Sequence, residues 1–432
     1  MKKSIACVLC FIAAAVCMTG CGNKKEQKND GIHVYAGIDD QIMKNAVNIF
    51  KNTYPDIQVT LTEQEISDNS EELYEYDQQL AAQLMAGEGA DVFLIQDYWD
   101  IDKLLAAEAF ADLTEIYDSS EVFDDKDFRR EVMDGGVICG KRVFLPIECR
   151  IPLLITTKEA LSETGFDMEK CTDFDSFIEE AGRFMLGEGY DRRLFRMDIT
   201  ASYCLDWAGY PIVEGGEIVW DMEDTRKYYE WYKEFYGREK GIGQYMFGDL
   251  TGAAEVRDKN CLFENSVYML DDINIIRALH TAGEPVVLPV YNKDGGITAV
   301  IDKAVAVRAN SENMENVRKF IEILFDEDTM KSQGACRGAV SVRRSVNENA
   351  FQNLLKVPFL SEQNGFPLEL PMLGKEEFNA YYAHADQISR VVYRRGWGSG
   401  FREEMSAFLR GEVSYEEAAE NAGKKLEFYL SE

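Results

Sequence analysis

No catalytic spacing is present in this chain, so any chemistry must come from scattered carboxylates, arginines and tryptophans. It contains no H-E-x-x-H, no G-x-S-x-G and no glycine-rich phosphate loop, and His33, His280 and His384 stand alone. The stretch from Gly89 to Asp100 carries the most informative group, Asp97, Tyr98 and Trp99, directly after the apolar run that starts at Val92. That run has no alternating polar face and reads as a strand covered on both sides, the habit of parallel sheets. Open α/β sheets bind ligands outside the carboxyl ends of their strands, which makes these three residues candidates for touching one. The competing reading is a surface loop with one buried Trp.

The elements around that run follow the same pattern. Ile32 to Ala36 reads as a strand, and Ile42, Ala46, Ile49 and Phe50 as the stripe of a helix capped by Asp39 or Asp40 and ended by Pro55. Ile57, Val59 and Leu61 alternate as a second strand. Leu73, Tyr76, Leu80 and Leu84 form a second stripe closed by Gly87. Strand, helix, strand, helix, strand in that order predicts a parallel α/β sheet with right-handed crossovers.

Further on, two apolar runs separated by Glu148, Cys149 and Arg150 predict a strand pair leaving the first sheet. Thr172 and Asp175 suggest a capping box before the helix of Phe174, Phe177, Ile178, Ala181 and Phe184. The aromatic helix after Asp224, with Tyr228, Tyr229, Trp231, Tyr232, Phe235 and Tyr236, reads as core ahead of a ligand platform. Val286 to Val290 and Thr298 to Val307 read as strands, Ser311 as the cap of the helix carrying Phe320, and Phe378 to Val392 and Phe401 to Leu409 as helices. A capping box from Ser414 to Glu417 opens the last one.

Composition bounds the function. The 432 residues, 46% of them hydrophobic, suffice for more than one domain core. The net charge of -31, from 77 acidic and 46 basic residues, excludes a nucleic-acid partner, which needs Lys and Arg gathered on one face. Lys2 and Lys3 precede an apolar run from Ile5 to Met18, too short to span a membrane and built like an export signal. Cys7 and Cys10, the only C-x-x-C pair, lie inside it and are no metal or redox motif. The later cysteines, Cys139, Cys149, Cys171, Cys204, Cys261 and Cys336, have no ligand spacing, and their pairing is left open.

Met18-Thr19-Gly20-Cys21 resembles a bacterial lipobox, which implies cleavage before Cys21 and lipidation of its thiol, with Gly22 to Asp30 as a polar tether. The chain as a whole resembles the family 1 extracellular solute-binding proteins, the lipoprotein receptors of ABC importers, usually for sugars or oligosaccharides. The resemblance rests on Ala90-Asp-Val-Phe, Phe110-Ala-Asp-Leu-Thr, Val143-Phe-Leu-Pro, Leu154-Ile-Thr-Thr-Lys-Glu-Ala-Leu, Phe174-Asp-Ser-Phe, Phe263-Glu-Asn-Ser-Val-Tyr-Met and Ala304-Val-Ala-Val, taken in order. Two departures fall near the cleft: Thr156-Thr157-Lys158 stands where many members read Tyr-Asn-Lys, and Asp271-Asp272-Ile273 where a glycine and an aromatic are usual.

The resemblance implies a two-lobed α/β fold of the type II periplasmic-binding-protein kind, each lobe a mainly parallel sheet flanked by helices, joined by a hinge that closes on ligand. The expected boundaries are 31–150 with 298–338 for one lobe and 151–297 with 339–432 for the other. A sugar site needs polar groups for hydroxyls and aromatic faces for the ring. Candidates at strand ends and crossings are Asp40, Asp97, Tyr98, Trp99, Glu148, Arg150, Trp207, Asp272, Arg343 and Trp397. The expected partners are a sugar ligand, ABC permease subunits and the outer face of the cell membrane through the lipid anchor. The chain is expected to act as a monomer with no cofactor, metal or catalysis. A receptor for a non-sugar solute or a sensor complex is the alternative, and an exported hydrolase with hidden paired carboxylates is the rival from another class.

Overall fold

The structure is a computed structural model that describes residues 31–37, 40–64, 79–96, 101–187, 191–196, 205, 208–214, 217–239, 249–264, 274–332, 339–354, 360–363, 366–393 and 398–431. Its first sheet starts where the apolar runs predict. β1 (Ile32–Ala36) lies between β2 (Val59–Glu63) and β3 (Val92–Gln96), parallel to both. The connection from β1 to β2 is helix α1 (Gln41–Thr53), which starts because the Asp40 carboxylate accepts the Met43 N–H at 3.0 Å. The helix buries Ile42, Met43, Ala46, Val47 and Phe50, and Tyr54 and Pro55 end it. After β3 the chain re-enters the described residues at Ile101 and forms the short helix α2 (Asp102–Ala106).

Strand β4 (Phe144–Arg150) stays in this sheet through Glu148, Cys149 and Arg150, so no strand pair leaves here. Only after Ile151 and Pro152 does the chain cross over, into β5 (Leu153–Thr157). Helix α3 (Phe174–Leu186) follows, capped by Asp173 and Ser176 in a reciprocal box, one residue along from the pair expected at Thr172 and Asp175. Helix α4 (Met222–Glu239) buries Tyr228, Tyr229 and Tyr232, in line with the core reading. Strand β6 (Pro285–Pro289) pairs antiparallel with β5. These elements build the second lobe, whose core stacks Phe166, Phe174, Phe177, Phe263 and Tyr228.

The chain returns through β7 (Ile297–Val307), the longest strand among the described residues and the spine of the large sheet. Helix α5 (Met314–Leu324) packs Phe320 against Phe50 of α1. Its cap is Asn313 rather than Ser311, whose hydroxyl donates instead to Asp91 at 2.8 Å. The sheet then extends past the boundary expected at 339. Strand β8 (Val340–Ser341) joins β4, and after helix α6 (Lys375–Ala383) strand β9 (Ile388–Tyr393) joins β7. The single helix expected over Phe378 to Val392 is therefore a helix, a 3-10 turn and a strand. The β-branched Ile388, Val391 and Val392 take the vacant edge of β7, a tertiary pairing that local periodicity does not reveal. Helices α7 (Gly398–Leu409) and α8 (Tyr415–Ser431) close the chain.

The large sheet has the order β8-β4-β7-β3-β1-β2 with β9 also on β7. It is parallel through β2, β1 and β3, and antiparallel where β7 meets β3 and β4.

Candidate ligand site

The site is set by a break along one edge of β7. Because β4 covers the other edge from Val300 to Ala306, β3 and β9 must share this one. β9 runs parallel to β7 and reaches Ile301 with Tyr393, while β3 runs antiparallel and reaches Lys303 with Gln96. Two strands thus meet head to head at Asp302, each with its carboxyl end there. That is the place where α/β sheets receive ligands. The segments that leave it, 97–100 and 394–397, lie outside the described residues.

Asp302 sits in a bulge. Ile301 pairs with Cys149 and Lys303 with Glu148, so Asp302 is the extra residue on β7, and a second shift between Lys303 and Ala304 makes Ile147 the extra residue on β4. Adjacent strand residues ordinarily face opposite sides, whereas a bulge re-aims a side chain. Here Asp302 and Lys303 both reach residues spaced by two on β4: Arg150 pairs with Asp302 at 2.9 Å, and Lys303 pairs with Glu148 at 2.8 Å. The two carboxylates are the deeper partners, with side chains 8% exposed in Asp302 and 12% in Glu148, against 25% in Arg150 and 28% in Lys303.

Asp40, at the end of the β1 turn, completes the group. Burial raises its carboxyl above the ordinary aspartate value; its bond from Met43 and the charge of Lys303 pull the other way, and Glu148 adds to the rise. Burial alone would lower the Lys303 ammonium, but Glu148, then Asp302 and Asp40, more than offset this and hold it above the ordinary lysine range. Cys149, between Glu148 and Arg150, is a buried free thiol pushed up to about 12 by burial, so it is no nucleophile. Cys171 and Cys261 are likewise buried and free, and Cys139 is exposed. Among the described residues no grouping of His, Cys, Asp and Glu converges for a metal ion.

Of the residues singled out by sequence, the structure therefore brings together Asp40, Glu148 and Arg150. It sets Arg343 apart as a packing residue: its side chain is 3% exposed, donates to Asp125 at 2.8 Å and to the Phe325 carbonyl at 3.0 Å, and lies over the Phe128 ring. Asp97, Tyr98, Trp99, Trp207, Asp272, Trp397 and the lipobox Cys21 fall outside the described residues. Asp302 and Lys303 were missed. Their signal is plain in hindsight, since two adjacent charges interrupt an otherwise apolar strand and need a reason to be there.

An α/β chain built this way, with two lobes and a polar break between strand ends, has the type II periplasmic-binding-protein fold. Solved structures of that kind match nearly all of it. The sugar-binding protein MalE of Xanthomonas citri aligns with a TM-score of 0.65 at 14% identity, covering 93% of this chain and 97% of that one. The cyclic alpha-maltosyl-1,6-maltose binding protein of Arthrobacter globiformis gives 0.58 at 14%, covering 93% and 98%. An ABC substrate-binding protein of Listeria monocytogenes in complex with cycloalternan gives 0.56 at 13%, covering 93% and 99%. Residues 35–209 match the family model of the bacterial extracellular solute-binding proteins. No curated protein matches it.

Proposed function

We propose that the chain is a surface-anchored substrate-binding lipoprotein of an ABC importer, which binds an oligosaccharide reversibly by hinge closure and hands it to the permease without turnover. The observation that carries this reading is the paired array of Asp302, Arg150, Lys303 and Glu148 at the break in the sheet, with Asp40 beside it. Each pair fixes its side chains and balances its charge, and all four are groups able to bond hydroxyls. Such preorganised polar groups suit a neutral polyol. The crossings at Ile151–Pro152 and Val290–Gly296 supply the hinge. The solved neighbours described as binding sugar, cyclic alpha-maltosyl-1,6-maltose and cycloalternan support the same ligand class.

A thermal-shift panel of neutral oligosaccharides, peptides and polyamines tests it. A ligand of the folded state alone stabilises by about 2.7 kcal/mol at a hundredfold excess over its dissociation constant. A shift with a peptide or polyamine and none with any carbohydrate contradicts the sugar assignment. Export and anchoring are tested separately: metabolic labelling with a fatty acid is expected to vanish in Cys21→Ala, and a label that persists refutes the anchor.

A further inference from the structure

Helix α8 is rooted at one end and reaches another body at the other. Its first turn is fastened to α4 of the second lobe. The Tyr415 hydroxyl donates to the Met222 carbonyl at 2.6 Å and lies 2.9 Å from the Thr225 hydroxyl, while Arg226 donates to Glu416 at 2.8 Å and covers the Tyr415 ring at 4.6 Å. From Tyr415 to Tyr429 the helix advances about 21 Å at 1.5 Å per residue. At Tyr429 it meets the first lobe, where the Lys103 ammonium stands 5.5 Å from the centre of the Tyr429 ring.

Lys103 belongs to α2, the helix that follows segment 97–100 as it leaves β3 at the break. Its neighbour Ile101 and the next-turn Leu104 are buried in the first lobe with Tyr35, Phe93 and Phe110. The other side of α2 is gripped by that lobe itself, through the Tyr393 hydroxyl donating to Asp102 at 3.3 Å. Helix α2 is thus held between the end of β9 and the end of α8, and only the second of these contacts joins the two lobes.

We propose that α8 is an interlobe strap, rooted on the second lobe and clipped by Tyr429 to Lys103 beside the ligand site, which draws the lobes together before any ligand arrives. A strap of this kind sets the fraction of molecules already closed, and with it the apparent affinity for whatever solute the cleft takes. The proposal concerns the ligand-free protein and stands apart from the identity of the ligand.

Small-angle scattering of the full chain without ligand tests it, with thermal unfolding measured in parallel. Losing a cation–π contact at a partly exposed site shifts the ratio of closed to open molecules by roughly two- to fivefold. Lys103→Met and Tyr429→Leu are therefore each expected to enlarge the radius of gyration, and the double variant to enlarge it no further than either alone. Lys103→Arg and Tyr429→Phe, which keep a cation and a ring, are expected to scatter like the parent protein. Lys103→Met keeps the length of the side chain, and its unfolding midpoint is expected to stay near that of the parent. Unchanged scattering in both truncations overturns the strap, as does an expansion that Lys103→Arg shares or that appears only with a lowered midpoint.

Discussion

Lys303 and Asp40 make opposite demands on the same small volume. The Lys303 ammonium sits among Glu148, Asp302 and Asp40, so replacing it strands a carboxylate that is 12% exposed. Breaking a fully buried pair costs 3–5 kcal/mol, and this partly open one is expected to cost about 2 kcal/mol in Lys303→Met, read as a lower urea midpoint at unchanged slope. Lys303→Arg is expected to recover most of it. Asp40 works the other way. Its folded carboxyl titrates above the unfolded value, so the charged form costs stability at neutral pH, and this cost fades as pH falls through the raised value. Asp40→Asn keeps a capping oxygen without the charge, and is expected to match or exceed the parent at pH 7, with the advantage vanishing in acid. Asp40→Ala loses the cap and is expected to cost about 1 kcal/mol at either pH. Asp40, Glu148 and Arg150 were legible in the sequence because they end strands or sit at a turn. Arg343 shared those marks, yet its partners Asp125 and Phe325 are distant in sequence and nothing local announces that the guanidinium is buried.

At the scale of elements, the local signals served where one helix or strand is fixed by its own pattern. β1 and β3 occupy the apolar runs that announce them, and α1 starts at its aspartate cap. They failed where another strand decides. Ile388 to Tyr393 follows an aromatic helix closely enough to be read as its continuation, and only the open edge of β7 makes it a strand. The bulge at Asp302 is equally invisible from one strand, since it exists only in register with Ile147 and Glu148. The entry of β4 carries its own test. A Cβ at Gly136 would lie 2.0 Å from the Phe144 carbonyl oxygen, where the neighbour is backbone and cannot swing aside. Gly136→Ala is expected to destabilise by more than about 2 kcal/mol in denaturant titration, and a near-neutral effect would show that β4 has room to shift there.

For the whole molecule, the order of motifs and the resemblance they carried gave the two-lobed α/β plan, and the family match over residues 35–209 agrees with it. The division between lobes was the part that did not come through, because β8 and β9 return to the first sheet from a stretch whose other elements lie elsewhere. That return shapes the proposed site: it is β9 meeting β3 end to end that leaves Asp302 at a break in the sheet instead of within a continuous one. The measurement that tests this most directly is isothermal titration of the parent protein and Asp302→Asn with the neutral oligosaccharide that shifts the melting midpoint furthest, the sugar being recovered and analysed afterwards. Losing a hydrogen bond to a charged group costs about 1.5–3 kcal/mol, so saturable binding of intact sugar is expected to weaken roughly ten- to hundredfold in Asp302→Asn. Cleavage of the sugar, or binding that Asp302→Asn leaves untouched, would contradict the account.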